Sequence, residues 1–117
     1  MIDPDAWARG VTLFDAGAYW DCHEALEDAW RVAGGVERHF LGGMILLAAA
    51  LHKARALNSA RGGRRNFAKA LRHLALVPDR YYQVDVRELE ARVHHALRTR
   101  ESTPTVPVVP HPERPSA

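Results

Sequence analysis

The run from Phe40 to Leu51 constrains the fold of this chain more than any other segment. Its residues are all apolar or glycine. On a helix, such a run is apolar on every side, so other elements must cover most of it. It is only about half as long as a bilayer-spanning helix and it contains Gly42 and Gly43, so no membrane span is expected. The run predicts a central helix inside a bundle.

Helical patterns account for nearly all of the chain up to Arg100. The first predicted helix opens at Asp3-Pro4, an N-cap residue followed by proline at the first helical position. Further helices are expected over about residues 18–33, 36–57 and 64–76, and a fifth is expected to start after the cap residue Asp85. Residues 58–63 are expected to form a turn, and no strand is predicted. The fold class predicted is therefore all-α, a compact bundle of four to five helices.

The composition changes at Ser102, where proline becomes frequent. A proline-rich segment of this kind is not expected to pack a core and should be extended or disordered. We therefore predict one helical domain over residues 1–101 and a tail over residues 102–117. The tail contains two Pro-x-x-Pro spacings, Pro104/Pro107 and Pro107/Pro110, which are found in ligands of other domains. A tail that lies free in solvent is the preferred interpretation.

The cysteine count and the charge distribution indicate the compartment and the partners to be expected. Cys22 is the single cysteine, which excludes an internal disulfide, and no signal peptide is recognisable, so a soluble cytoplasmic protein is expected. Residues 1–40 carry a net charge of −5 and residues 41–100 a net charge of +8. This asymmetry can steer an anionic partner or let two copies attract each other. Together with three tryptophans and a small core, it leads us to predict a homodimer.

The segment from Tyr19 to Trp30 holds most of the chemistry. It carries two tryptophans, one histidine and four carboxylates on about three turns of predicted helix. On a helical wheel, one face collects Tyr19, Cys22, Leu26, Ala29, Trp30 and Ala33. His23 and Glu27, at the i, i+4 separation, lie at the border of that face. A functional polar group and a structural hydrogen bond would both be found at such a half-buried position.

Three roles for His23 and Glu27 remain open. The pair is similar to half of a zinc site, because i, i+4 on a helix directs two side chains at one ion, so a divalent metal is possible although no cofactor is expected. It could also serve general acid–base catalysis in a hydrolase, or form a structural pair. If the second and third helices form a hairpin about Gly34-Gly35, His23 lies opposite Leu46 and Glu27 opposite Gly42. His52 is then displaced by about 9 Å along the helix axis and is too far away to be a third ligand.

Neither a nucleophile with its base nor a phosphate-binding glycine loop is visible, and Cys22 falls on the apolar face as an inert core thiol. A binding or scaffold module is therefore expected rather than an enzyme.

The fourth helix carries a basic stripe, with Arg64 at its edge, formed by Arg61, Arg65, Lys69 and Arg72. Such a stripe can neutralise phosphates, but no aromatic residue is interleaved with it, so binding to nucleic acid is not expected.

The ordered combination of these residues resembles the family called domain of unknown function, family 309. The resemblance rests on Phe14-x-x-Gly17-x-Tyr19-x-x-x-His23-Glu24-x-Leu26-Glu27-x-x-Trp30, then on Gly35-x-Glu37-Arg38-x-x-Leu41-x-Gly43-x-Ile45-x-Leu47-Ala48-Ala49-Ala50-Leu51-His52, and further on Asn66-x-x-Lys69-Ala70 and Asp85-x-x-x-Leu89. It implies an all-helical, compact fold and no assigned activity.

The family's polar signature, as the resemblance implies it, falls on His23, Glu24, Glu27, Trp30, Glu37 and Arg38. With Trp20, these residues make up the candidate functional groove between the second and third helices. Many family members have glutamines where this chain has Gly42 and Leu46, opposite Glu27 and His23. This departure favours a structural pairing of His23 with Glu27 in this chain.

Overall fold

Five α-helices and one short β-hairpin make up the part of the chain that the computed structural model describes, residues 1–100 and 102–109. In chain order the elements are α1 (Pro4–Asp15), α2 (Tyr19–Val32), α3 (Gly35–Arg55), α4 (Ala60–Leu74), β1 (Arg80–Tyr81), β2 (Val84–Asp85) and α5 (Val86–Thr99). The predicted all-α bundle is confirmed.

Helix α3 is the central element, as the run from Phe40 to Leu51 predicts. Every residue of that run is buried except Leu46 and Ala49, which are partly exposed. Helix α3 packs most extensively against α4 and α2, and α1 packs against α2. Helix α5 contacts both α3 and α4. Within residues 1–100 and 102–109, no helix combines the length and the apolar character that crossing a membrane requires.

Local capping explains where the helices begin. The side chains of Asp3, Ser59 and Asp85 each accept a hydrogen bond from a backbone N–H of the following first turn. Because Ser59 caps α4, this helix starts at Ala60, and the predicted turn over residues 58–63 is wrong for its last four residues. The packing around Gly63 is tight, since a Cβ there would lie 3.1 Å from the carbonyl oxygen of Ala50 in α3.

The β-hairpin corrects the prediction that the chain has no strand. Its strands are antiparallel, with Arg80 opposite Asp85 and Tyr81 opposite Val84. The two connecting residues, Tyr82 and Gln83, have φ angles of 50° and 63°. Positive φ at both central residues is typical of the tight hairpin turn that Asn-Gly or Gly-Gly normally forms. The turn is therefore built without its usual sequence signal.

Residues 102–109 pack against the helical domain. Val106 is 6% exposed, and its backbone N–H donates to Asp15 Oδ1 at 2.8 Å. Backbone hydrogen bonds also join Pro107 to Asp85 and Val109 to Gln83. The expectation that the proline-rich segment contributes nothing to the core is wrong for these residues, because Val106 joins the core and Pro104 and Pro107 are buried as well. The spacing that ends at Pro110, and the tail beyond it, lie outside the described residues.

Candidate functional site

A groove between α2 and α3 brings several of the predicted site residues together. It has a volume of about 250 Å³ and is lined by His23, Glu27 and Trp30 from α2, by Gly42, Ile45 and Leu46 from α3, and by His73 from α4. The hairpin register inferred from sequence agrees with this lining, since His23, Glu27 and the two positions expected opposite them share one cavity. Both His23 and Glu27 are partly exposed, as border positions of the helix should be.

The imidazole of His23 is held by stacking. Its ring lies parallel to the Trp20 indole, with the ring centroids 4.9 Å apart and the planes 6° apart. Its Nδ1 atom is buried and has no hydrogen-bond partner among the described residues. The nearest carboxylate oxygen, Glu27 Oε2, is 3.7 Å away, which is beyond hydrogen-bond distance. The ring is thus fixed in place while part of its hydrogen-bonding capacity is unused.

Glu27 is held at the edge of the groove by an arginine of its own helix. Arg31 Nη2 donates to Glu27 Oε1 at 2.6 Å, and Arg31 Nη1 donates to Asp28 Oδ1 at 2.9 Å. The Glu27 side chain is one-third exposed, so this pair stabilises the fold little in free energy but fixes the position of the carboxylate. Glu27 Oε2 remains directed at His23.

Arg38 ties the end of α2 to the start of α3 and positions Trp30. Its guanidinium lies 4.1 Å from the centroid of the Trp30 ring. Its Nη1 donates to the backbone carbonyl oxygens of Trp30 at 3.1 Å and Ala33 at 3.4 Å, which lie at the end of α2. Arg38 does not line the groove, but it fixes the indole that does.

Besides Arg38, three more of the predicted groove residues do not line the cavity. Glu24 is exposed on the outer side of α2. Glu37 forms an ion pair with the amino group of Met1 at 3.1 Å. Trp20 stacks on the His23 ring. The Trp20 indole also lies near His52, and the two ring centroids are 5.3 Å apart. His52 is therefore separated from the groove, as the hairpin register predicts.

His73 is the groove residue that the sequence did not identify. Its Nδ1 atom lies 3.1 Å from His39 Nδ1, so one imidazole must carry the proton that it donates to the other. Burial lowers the pKa of His73, and nearby His39 and Arg72 lower it further. No local sequence pattern indicates His73 as a groove residue, because only the packing of α4 on α3 brings it close to α2.

The predicted metal ligands, the cysteine and the basic stripe lie in different parts of the structure. Within residues 1–100 and 102–109, no three His, Cys, Asp or Glu side chains are arranged to hold a metal ion, and the metal role of His23 and Glu27 stays a prediction. Cys22 is fully buried, and burial raises the pKa of its thiol to about 12, with a smaller contribution from Asp15. The basic stripe is exposed along α4, and its members are Arg61, Arg65, Lys69 and Arg72.

The fold and the groove define a small all-α protein with a half-buried His/Glu/Trp site. A family model described as Domain of unknown function (DUF309) matches residues 7–74, a span that includes every residue lining the groove. The chain belongs to this family, and the resemblance noted from the sequence is confirmed.

A crystal structure of a conserved hypothetical protein from Thermus thermophilus is also similar to this chain. The two sequences are 38% identical, the TM-score is 0.74, and the match covers 85% of this chain and 100% of the Thermus chain. A comparison with curated proteins gives no significant match. The likeness thus extends to fold and sequence, and neither description names an activity.

Proposed function

We propose that this protein is a binding module that holds a small molecule in the groove between α2 and α3. The observation that carries the proposal is a cavity in which polar side chains have hydrogen-bonding capacity left over. His23 Nδ1 has no hydrogen-bond partner among the described residues, and Glu27 Oε2 lies 3.7 Å from it. The Trp30 indole lines the same cavity, so an imidazole, a carboxylate and an indole N–H donor are gathered in one place, as the polar groups of a ligand site are.

The lining indicates the kind of ligand. Ile45, Leu46 and the Trp30 ring supply an apolar wall, and among the described residues Glu27 is the only formally charged side chain that lines the groove, apart from its histidines. A neutral or cationic molecule is therefore favoured over an anion. The volume of about 250 Å³ lies just below the range of roughly 300–1,000 Å³ that is usual for drug-sized ligands. The ligand should accordingly be small, with a polar head and an apolar body.

A matched set of probes tests both the site and the charge preference. Benzylamine, benzyl alcohol and benzoate have similar size and differ in charge. In ¹H–¹⁵N NMR spectra, the indole N–H of Trp30 gives one of three tryptophan cross-peaks. We expect benzylamine and benzyl alcohol to shift the Trp30 peak saturably and benzoate to leave it unchanged. If none of the three probes shifts that peak at millimolar concentration, the proposal is wrong.

A pair of substitutions on α2 separates the groove from the surface around it. Glu27→Gln removes the carboxylate that lines the groove, and Glu24→Gln removes an exposed carboxylate that does not. Glu27→Gln should weaken benzylamine binding about tenfold, the worth of one charge-assisted hydrogen bond, and should leave benzyl alcohol binding unchanged. Glu24→Gln should change neither. Equal effects of the two substitutions would show that benzylamine responds only to the overall negative charge of α2.

We further propose that the protein is a cytoplasmic homodimer. Support for association comes from exposed apolar side chains at the α2–α3 corner, where Val32 is 86% and Val36 is 41% exposed. Support for the compartment comes from Cys22, which is kept as a free thiol in the core. Light scattering at micromolar concentration should give twice the mass of one chain, and cell fractionation should recover the protein with the cytosol. A monomer, or recovery in another fraction, would contradict the respective part.

A further inference from the structure

A second and larger cleft lies between α4 and α5. Its volume is about 520 Å³, and it is lined by Ala54, Ala60, Arg64, Phe67, His94, Leu97, Arg98 and Arg100. It shares no lining residue with the groove between α2 and α3. We propose that this cleft binds a small molecule with an anionic head, phosphate or carboxylate, attached to an apolar body.

The first argument is the uncompensated positive charge at the rim. Arg64, Arg98 and Arg100 line the cleft, and none of them forms an ion pair with a carboxylate of the described residues. Elsewhere, Arg31, Arg87 and Arg92 each pair with a carboxylate of their own helix. Guanidinium groups recognise phosphate and carboxylate through paired, charge-assisted hydrogen bonds. An anionic head would supply the charged partners that these arginines lack among residues 1–100 and 102–109.

The second argument is that one of the three guanidinium groups is already held in place. Arg100 follows α5 with a left-handed backbone, at a φ of 62°. Its Nη2 donates to Asn58 Oδ1 at 2.8 Å and to the carbonyl oxygen of Ala54 at 3.2 Å. Both acceptors are neutral, so they fix the side chain without cancelling its charge. A fixed donor loses little conformational entropy when a ligand binds.

The third argument is the apolar wall beside the charges. The rings of Phe67 and His94 stack across α4 and α5, with centroids 5.5 Å apart and planes 16° apart. Leu97 is half-buried and Ala54 is buried, and both also face the cleft. A purely inorganic anion would leave this surface unused, whereas an attached apolar group would cover it. The combination favours an amphipathic anion over free phosphate.

The shape of the cleft also distinguishes a small molecule from a nucleic acid. Its volume falls within the range of roughly 300–1,000 Å³ that is typical of small-molecule sites. The exposed basic stripe of α4 does not contribute to its lining, since Arg61, Arg65, Lys69 and Arg72 all lie outside it. A long polyanion would follow the stripe, whereas a compact anion would enter the cleft.

Calorimetric titration with phenyl phosphate and with inorganic phosphate tests the proposal. Phenyl phosphate should bind saturably and more tightly than inorganic phosphate. The double variant Arg64→Gln/Arg98→Gln should weaken phenyl phosphate binding about tenfold or more, since it removes two charge-assisted contacts. The control Arg65→Gln/Arg72→Gln removes the same charge from exposed positions outside the cleft and should change the affinity little.

Several results would overturn the proposal. One is phenyl phosphate that does not bind at millimolar concentration, or binds no more tightly than inorganic phosphate. Another is an equal loss of affinity in both double variants, which would assign the binding to the basic surface in general. All four substituted residues are at least partly exposed, and circular dichroism melting curves check that each variant is folded. The comparison of the two ligands on the unaltered protein needs no variant.

Discussion

Two adjacent glycines of α3 should respond in opposite ways to replacement by alanine. Gly42 faces the groove, whereas Gly43 faces α4. Replacing either glycine by alanine in a helix interior gains about 1 kcal/mol of intrinsic helix propensity. Because the two positions are neighbours in one helix, this gain is nearly the same for both. The difference between the variants therefore isolates what each new methyl group meets.

The contacts around the new methyl group set the magnitude. At position 43, a Cβ would lie 2.4 Å from Leu74 Cδ2 and 2.5 Å from its Cγ, whereas carbon atoms in contact are ordinarily about 3.5–4.0 Å apart. Leu74 is 0% exposed, so any shift of its side chain must displace the core residues around it. Overpacking of this kind costs about 1–3 kcal/mol. At position 42, the nearest atom is Trp30 Nε1 at 3.3 Å, and the half-buried indole can yield by a few tenths of an ångström.

We therefore expect Gly42→Ala to be neutral or stabilising by up to about 1 kcal/mol, and Gly43→Ala to be less stable than Gly42→Ala by about 1–3 kcal/mol. For a domain of this size, that difference corresponds to a melting temperature about 4–12 °C lower. Urea unfolding followed by far-ultraviolet circular dichroism measures it, provided that the denaturant slopes of the variants agree. Equal stability of the two variants would refute the inferred packing of Gly43 against Leu74.

Three further predictions concern the hairpin, the histidine pair and the tail segment. Gln83→Gly should raise the free energy of unfolding by about 0.5–1 kcal/mol in urea unfolding, because glycine adopts the φ of 63° without strain; a loss of stability would mean that the side chain contributes more than the strain costs. The pKa of His73 is lower in the folded protein than in the unfolded chain, so the unfolded chain binds more protons at acidic pH. The free energy of unfolding should therefore be highest above the pKa of histidine in the unfolded chain and should fall as the pH drops below that value. Unfolding curves measured between about pH 8 and about pH 5.5 should show a smaller loss of stability in His73→Gln, whereas His95→Gln, at an exposed position, should keep the full loss. The same pH dependence in both variants would contradict the role given to His73. Val106→Ala should lower stability by about 1.5 kcal/mol, the worth of two buried methyl groups, whereas the exposed Val108→Ala should have little effect; no difference between them would mean that the segment does not pack in solution.

Periodicity predicted the α2 face and the hairpin register well, because both depend on geometry that repeats along one helix. Cys22 and Leu26 are buried, whereas His23 and Glu27 are partly exposed, as the helical wheel requires. The central position of α3 followed from its apolar run alone. These features are local, or involve two helices joined by a short link, so the sequence was sufficient.

The features that the sequence missed depend on contacts between distant segments. His73 reaches the groove only through the packing of α4 on α3, and no pattern within α4 specifies that approach. The hairpin turn at Tyr82 lacks glycine and asparagine, and its strands have two residues each, too few for a periodic signal. The segment around Val106 has a composition typical of solvated chain, and only its hydrogen bond to Asp15 and its fit against β2 make it part of the domain.

The corner between α2 and α3 has a consequence for how the groove can be tuned. A Cβ at Gly34 or Gly35 would meet nothing within 4 Å, and Gly35 has a φ of 59°, so the link itself imposes little stiffness on the angle between the two helices. Arg38 adds a specific contact to the packing of α2 on α3, through its hydrogen bonds to the last carbonyls of α2 and its contact with Trp30. Replacing Arg38 would therefore remove a contact that positions the Trp30 indole while every residue that lines the groove stays the same.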